Sequence, residues 1–263
     1  MSIDYSGTTA LVTGASSGLG EHFVRQLAAR GADLVLVARR VDRLEALADE
    51  LRAGGRTVTV IGADLAQPGA GHSLADELEA RKIVVGTLVN NAGFATRNHF
   101  ENEDAARIAE EIDLNVGALV DLTKAFYDQL RATNRGALIT VASTAAYQPL
   151  PLMAVYGATK AFVLSFTEAL WYENRGRGLK VLCLSPGATK TEFFDVAGEG
   201  ARVGEFQTPE EVVGLALETL DKRNSPPSVV SGTRNRFMAA ATRLVPRRTL
   251  VMVAGRTTAR NPI

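Results

Sequence analysis

The segment Thr13-Gly14-Ala15-Ser16-Ser17-Gly18-Leu19-Gly20 joins a short apolar run, 10–12, to a stretch with helical periodicity. A tight glycine turn between a strand and a helix presents backbone N–H groups and the positive end of a helix dipole to an anion. Glycines also occur in such turns for steric reasons alone. The segment therefore predicts a pyrophosphate site, provided that the rest of the chain agrees with it.

Short apolar runs alternate with helical patterns along the remaining chain. Strands are predicted over 10–12, 34–37, 58–61, 87–89, 138–141, 181–184 and 228–230, and helices over 18–30, 41–53, 71–81, 104–130, 156–176 and 208–222. This alternation predicts an α/β fold, a doubly wound, Rossmann-type parallel sheet of about seven strands with helices on both faces. No repeat or linker divides the sequence, so residues 1–263 are expected to form a single domain.

Further motifs follow the glycine segment in order. Asn90-Asn91-Ala92-Gly93 comes after the fourth predicted strand, Ser143 ends the fifth, and Tyr156-Gly157-Ala158-Thr159-Lys160 opens a helix. From Thr8 to about Thr191 the chain resembles the short-chain dehydrogenase/reductase family, in its shorter branch with TGxxxGxG, NNAG and YxxxK motifs. The resemblance implies an oxidoreductase that moves a hydride between a nicotinamide cofactor and a carbonyl or alcohol carbon.

Tyr156 and Lys160 lie four residues apart in a predicted helix, so their side chains share one face. A phenol with a pKa near 10 is poorly matched to neutral pH, and we expect the nearby ammonium and the positive charge of the oxidised nicotinamide to lower that pKa. The resemblance implies that Tyr156 is the acid/base, that Lys160 tunes it and binds the nicotinamide ribose, that Ser143 holds the substrate oxygen, and that Asn115 supports a water-linked proton path. Structural roles are the alternatives, for Ser143 in its loop and for Asn115 in its helix.

The residues after the second predicted strand bear on the choice of cofactor. A site that prefers NAD needs an acid about 20 residues beyond the glycine turn, but Ala38 stands there and the next carboxylate is Asp42. Ala38 leaves room for a 2′-phosphate, and Arg39 can bind it with its planar fork of donors, while Arg40 adds charge or merely begins the next helix. The predicted cofactor is therefore NADP(H). The alternative is that Arg39 is solvated or stacks on the adenine without binding the phosphate. The expected cofactor contacts are Gly14, Ser16, Ser17, Gly18, Leu19, Gly20, Arg39, Arg40, Asp64, Leu65, Asn91, Ala92, Gly93, Tyr156, Lys160, Pro186, Gly187, Thr189 and Thr191.

Apolar residues near the expected site favour a hydrophobic ketone, aldehyde or alcohol as substrate. They are Phe94, Tyr147, Leu150, Leu152, Met153, Phe193 and Phe194, and a substrate loop is expected over about 190–208. Two other functions stay open. One is a non-catalytic, NADP-sensing binding protein on the same fold, against which the complete catalytic set argues. The other is a sugar-nucleotide epimerase or dehydratase, against which the short carboxy-terminal region and the TGxxxGxG spacing argue.

The segment 225–263 contains seven arginines and no acidic residue, whereas the rest of the chain is correspondingly acidic. Phe237, Ala241, Leu244 and Val245 fall at helical spacing in it. Such a segment could contact a membrane or a lipid substrate, or it could pack on the acidic core of its own subunit or of a neighbour. The second alternative is favoured, because most amphipathic helices simply bury one face.

Overall composition sets further limits. The 29 basic and 29 acidic residues cancel, which gives no electrostatic basis for nucleic-acid binding. The three histidines and the lone Cys183 lack ligand-like spacing, so no metal site is expected. The start of the sequence has no signal-peptide pattern, which makes a cytoplasmic location the expectation. A homodimer or homotetramer is expected, built on the helix over 104–130 and the helix that carries Tyr156.

Overall fold

A computed structural model describes residues 3–133, 135–193 and 206–259. Its centre is a seven-stranded sheet of order β3-β2-β1-β4-β5-β6-β7 in which every neighbouring pair is parallel. The predicted α/β fold and parallel sheet are thus confirmed. The strands are β1 (Thr9–Thr13), β2 (Asp33–Ala38), β3 (Val58–Gly62), β4 (Val85–Asn90), β5 (Ala137–Val141), β6 (Lys180–Ser185) and β7 (Ser228–Val230).

Helices cover both faces of the sheet, because each strand presents apolar side chains in both directions. One buried cluster includes Val12 and Leu36, and a second, on the opposite face, includes Leu11 and Val35. The α-helices are α1 (Gly18–Ala29), α2 (Val41–Ala53), α3 (Ala70–Ala80), α4 (Ala105–Ile112), α5 (Leu119–Ala132), α6 (Ala154–Glu173), α7 (Pro209–Asp221), α8 (Thr233–Ala241) and α9 (Arg247–Ala259).

The prediction of one uninterrupted α-helix over 104–130 is wrong. A π-helical segment, Asp113–Ala118, separates α4 from α5. A π turn adds a residue per turn and therefore rotates the side chains that follow it, a change that apolar periodicity does not reveal. This turn directs Asn115, only 1% exposed, into the protein interior.

Side-chain hydrogen bonds explain two other helix ends. One of these ends differs from the sequence prediction, and the other agrees with it. Helix α6 ends at Glu173, before the predicted Gly176, because the Asn174 side chain donates a hydrogen bond to Leu170 O at 2.7 Å. Helix α7 begins as predicted, with Thr208 and Glu211 forming a capping box around Pro209.

The order of the strands reverses between β1 and β4. From β1 the sheet continues through β2 to β3 on one side, and from β4 it continues through β5 and β6 to β7 on the other. In a doubly wound sheet a crevice opens at such a reversal, outside the carboxyl ends of the strands. The glycine segment follows β1 and Asn91 follows β4, so both predicted motifs lie at this position.

Candidate active site

The loops after β1 and β4 hold each other through a small set of hydrogen bonds. Thr13 Oγ1 accepts hydrogen bonds from the backbone N–H groups of Asn91 and Ala92, both at 3.0 Å, and Asn91 Nδ2 donates to Thr13 O at 2.9 Å. A Cβ on Gly14 would lie 2.8 Å from Asn91 Nδ2, and φ of Gly14 is +63°. Only glycine fits there without moving the second loop.

A cleft of about 820 Å³ opens at this edge of the sheet. Every predicted cofactor contact lines the cleft except Gly20. Gly20 is buried, and a Cβ at this position would lie 2.1 Å from Gly14 O. Its small size therefore serves the packing of the turn against α1, and a contact between Gly20 and the cofactor stays a prediction.

Ser143, Tyr156 and Lys160 meet in the cleft where β5 ends and α6 begins. Ser143 lies directly before a 3-10 turn, Thr144–Tyr147, and its Oγ accepts a hydrogen bond from Ala145 N at 3.1 Å. Lys160 Nζ donates to Val141 O at 2.8 Å and lies 5.8 Å from the centre of the Tyr156 ring. A hydroxyl, a phenol and an ammonium thus converge on one wall of the cleft.

Burial dominates the ionisation of this group. It raises the pKa of Tyr156 to about 12, an effect that a hydrogen bond with Ser143 opposes and the charge of Glu111 reinforces. Burial also lowers the pKa of Lys160 to about 8. Loss of hydration on burial is the largest contribution to the pKa of Tyr156. That Lys160 and the oxidised nicotinamide lower this pKa stays a prediction.

Asn115 does not line the cleft but stands behind it. Its Oδ1 accepts from Phe94 N at 3.1 Å, and its Nδ2 donates to Phe94 O at 2.9 Å and to Thr159 Oγ1 at 3.2 Å. These bonds tie the loop after β4 to the helix that carries Tyr156. Asn115 therefore has a structural role, and its support of a water-linked proton path stays a prediction.

At the other end of the cleft, Arg40 is more deeply engaged than Arg39. Its Nη2 donates to Ser17 Oγ at 2.7 Å and to Ser16 Oγ at 3.1 Å, and its Nη1 pairs with Glu192 at 2.9 Å. Arg39 is more exposed and pairs with Glu110 at 3.1 Å. The sequence assigned the leading role to Arg39, whereas the contacts with the glycine segment belong to Arg40.

The carboxy-terminal segment folds back over the cleft of its own chain. Helices α8 and α9 bring side chains to the cleft wall that the sequence did not predict, namely Arg234, Asn235, Met238, Ala239, Thr242 and Thr257. Asn235 also faces Gly187, where a Cβ would lie 2.1 Å from Asn235 Nδ2. The favoured packing on the same subunit is thus found, but within the described ranges none of the segment's arginines forms an ion pair. Apolar burial of residues such as Leu250 and Ala254 holds α9 instead.

The predicted apolar pocket is only partly assembled as expected. Phe94, Tyr147, Leu150, Met153 and Phe193 line the cleft, and the Phe193 ring lies 5.6 Å from that of Tyr156. Leu152 does not line the cleft. Its backbone is in the left-handed region, with a φ of +68°. Phe194 and most of the expected loop over 190–208 lie outside the described residues.

The family model described as short chain dehydrogenase matches residues 8–201. The chain belongs to this family. A sulfoacetaldehyde reductase 2 of Chromohalobacter salexigens is 40% identical over 70% of this chain and 73% of its own. A short-chain dehydrogenase of Sphingobium yanoikuyae, solved in complex with NADPH, is 35% identical with a TM-score of 0.80 and covers 90% of this chain and 93% of its own.

A second solved structure extends the likeness to the carboxy-terminal segment. It belongs to a study of 7beta-hydroxysteroid dehydrogenase stereoselectivity, is 28% identical with a TM-score of 0.85, and covers 97% of this chain and 100% of its own. As a short-chain dehydrogenase, the chain is an oxidoreductase. Among the residues with described positions, no cluster of His, Cys, Asp or Glu could hold a metal ion, and no helix is long and apolar enough to cross a membrane.

Proposed function

We propose that the chain is an NADP(H)-dependent reductase that interconverts a carbonyl and a secondary alcohol on a bulky, mostly apolar substrate, with Tyr156 as the acid/base. The observation that carries this proposal is the single cleft that has Ser143, Tyr156 and Lys160 at one end and Arg40 with two serine hydroxyls at the other. Such a cleft suits a long ligand with an anionic end and a reactive end.

The chain's own groups fit a dinucleotide. Gly14 and Gly18 of the glycine segment have no side chain, which lets a pyrophosphate approach the start of α1, and the hydrogen bonds between Thr13 and Asn91 join the two loops at this place. When bound, the nicotinamide supplies the hydride. Lys160, buried beside Tyr156, is available to a ribose hydroxyl through the hydrogens that Val141 O does not occupy.

The protein's part in the reaction is to hold the substrate oxygen and to move one proton. The Ser143 hydroxyl donates a hydrogen bond to that oxygen and keeps it near Tyr156. The phenol of Tyr156 is protonated at neutral pH, because burial raises its pKa to about 12, and it can give this proton as negative charge develops on the oxygen. In the direction of oxidation the same phenol oxygen receives the proton.

The preference for NADP(H) rests on the charge after β2. Arg40 Nε and Nη2 donate to Ser16 Oγ, Nη2 also donates to Ser17 Oγ, and Ala38 leaves the place of the usual acid free of charge. The complex of the Sphingobium yanoikuyae enzyme with NADPH supports the same choice. Glu192 now shares Arg40, so a 2′-phosphate has to replace it or bind beside it.

The preference for a bulky apolar substrate rests on the cleft wall near Tyr156. Leu150, Met153, Phe193 and Met238 contribute apolar surface there, and the steroid-dehydrogenase relative covers the same carboxy-terminal helices. Arg234 also lines the cleft and favours an anionic group on the substrate. This side chain supports a second candidate, a small anionic aldehyde such as the one in the name of the Chromohalobacter relative.

A substrate panel tests the proposal. Bulky apolar ketones, bulky ketones with a carboxylate and small anionic aldehydes are each offered with NADPH and with NADH, and nicotinamide absorbance is followed. We expect turnover of bulky ketones with NADPH, and its loss in the Tyr156→Phe variant. A preference for small anionic aldehydes would replace the substrate class, and tight NADPH binding without any turnover would support the NADP-sensing binding protein. A homo-oligomeric state and a cytoplasmic location stay predictions.

A further inference from the structure

Glu111, in the last turn of α4, carries a completely buried carboxylate. Its Oε2 accepts hydrogen bonds from Thr96 N at 3.1 Å and from Thr96 Oγ1 at 2.8 Å. Its Oε1 is equally buried and has no hydrogen-bond partner among the described residues. Burial of a carboxylate oxygen without a hydrogen-bond partner costs free energy, and Oε2 alone already anchors Thr96. The burial of Oε1 therefore needs another explanation.

The carboxylate lies on the same stretch of helix that supports the catalytic wall. Glu111 precedes Asn115 by four residues, and the two side chains hold Thr96 and Phe94 of the loop after β4. At Gly93, in the same loop, a Cβ would lie 2.7 Å from Asn115 Oδ1 and 3.5 Å from Lys160 Nζ. The loop after β4, which Glu111 and Asn115 hold, therefore passes close to the ammonium of Lys160.

Charge connects Glu111 with both reactive groups. Its negative charge raises the pKa of Tyr156 in the same direction as burial. It also raises the pKa of Lys160, where Cys183 acts in the same direction and burial, the largest contribution, lowers the pKa. The Lys160 ammonium in turn lowers the pKa of Glu111, although burial and the charge of Glu103 raise it overall. On its own helix, Arg107 and Glu110 are paired with each other, so they offer Glu111 little free charge.

We propose that Glu111 is a positioning residue that acts through Lys160 and Tyr156, as a buried counter-charge that keeps the ammonium charged and the phenol protonated in the working enzyme. An anion stabilises a nearby ammonium and destabilises a nearby phenolate, so one carboxylate serves both groups with the same sign. The roles of Tyr156 and Lys160 in this inference rest on the proposed function. The electrostatic connection itself does not.

Glu111→Gln in the full chain separates this role from a structural one. Glutamine keeps the volume and an acceptor for Thr96 but removes the charge. With lysine labelled at Cε with ¹³C, NMR of the protein without substrate or cofactor follows the titration of Lys160, assigned by Lys160→Arg. We expect the pKa of Lys160 to fall below its wild-type value of about 8, because the variant removes an anion that favours the ammonium. The high-pH limb of kcat/KM for ketone reduction should move to lower pH as well.

Asp113→Asn is the matched control. It removes a carboxylate two residues further along the same helical stretch, from an exposed position. We expect no movement of the Lys160 titration in this variant. Equal titrations in wild type, Glu111→Gln and Asp113→Asn would overturn the proposal and leave Glu111 as an anchor for Thr96.

A reciprocal measurement covers the case in which Glu111→Gln does not fold. In Lys160→Met the ammonium is absent, and the pKa of Glu111, followed through ¹³C-labelled glutamate, should rise. An unchanged Glu111 titration would overturn the proposal by this second route. Both titrations are read without turnover, so a chain that shows the shifts but reduces no ketone would refute the proposed function while the connection between Glu111 and Lys160 stands.

Discussion

Replacing Arg40 by alanine should remove much of the preference for NADPH over NADH. Arg40 is the side chain that joins the charge after β2 to the glycine segment, through Ser16 and Ser17. A charge-assisted hydrogen bond contributes roughly 1.5 to 3 kcal/mol, which corresponds to about a 10- to 150-fold change in affinity. NADH lacks the 2′-phosphate, so its affinity should change little.

The structure places the expected loss near the lower end of that range. The Arg40 side chain is 42% exposed and already paired with Glu192, so binding a phosphate exchanges one anion for another in partial contact with water. We therefore expect NADPH affinity to fall about tenfold in Arg40→Ala. For the same reason Glu192→Gln should strengthen NADPH binding several-fold, since it removes the competing carboxylate.

The assay is calorimetric titration of each variant with NADPH and NADH at one fixed salt concentration, because exposed charge pairs weaken as salt rises. Arg39→Ala is the matched comparison, as it removes the neighbouring guanidinium, which pairs with Glu110 instead. Equal losses of NADPH and NADH affinity in Arg40→Ala would refute the phosphate contact. A larger NADPH-specific loss in Arg39→Ala would return the role to Arg39.

Four further predictions follow from particular contacts. Tyr156→Phe should lower kcat more than a hundredfold with NADPH affinity unchanged, since only the transferable proton is lost; stopped-flow turnover and calorimetry check this, and a residual rate above about a tenth of wild type would exclude the acid role. Because burial lowers the pKa of Lys160 to about 8, its charged form is lost above that pH, and kcat/KM for reduction should fall there; a flat profile to pH 10 would contradict this. Gly20→Ala should unfold the chain at lower denaturant because its Cβ would meet Gly14 O at 2.1 Å, whereas Gly117→Ala, with nothing within 4 Å, should not. Phe162→Asp should dissociate the expected oligomer in light scattering, because this α6 side chain is 42% exposed and stacks only on Phe166; an unchanged mass would place the interface elsewhere.

Sequence patterns predicted the features that depend on short-range order. Apolar runs predicted all seven strands. The spacing of Tyr156 and Lys160 predicted that their side chains share one helix face, and the two side chains lie together in the structure. The π segment before α5 was not predictable in this way, since a one-residue insertion leaves the apolar pattern on both sides intact. Which of Arg39 and Arg40 binds the phosphate depends also on which guanidinium reaches Ser17. The sequence does not show this, because the two arginines are adjacent.

Long-range contacts account for the remaining differences. Glu111 reads in the sequence as one of many helix acids, and only its burial against Thr96 marks it as unusual. Its neighbour Glu110 is paired with arginines near the surface. The two glutamates have the same side chain and lie in the same helix. The difference in their burial therefore arises entirely from how α4 packs on the loop after β4.

The family match and the segment beyond it both contribute residues to the wall of the cleft. The residues that match the family, 8–201, supply the glycine segment, Ser143, Tyr156 and Lys160. Helices α8 and α9 lie beyond that match, yet Met238 and Thr257 line the same cleft and Leu250 and Ala254 are buried beneath it. Leu250 and Ala254 pack α9 against the rest of the chain, and Arg97 donates a hydrogen bond to Thr258 O. We therefore expect residues of these two helices, together with Leu150, Met153 and Phe193, to set the substrate preference.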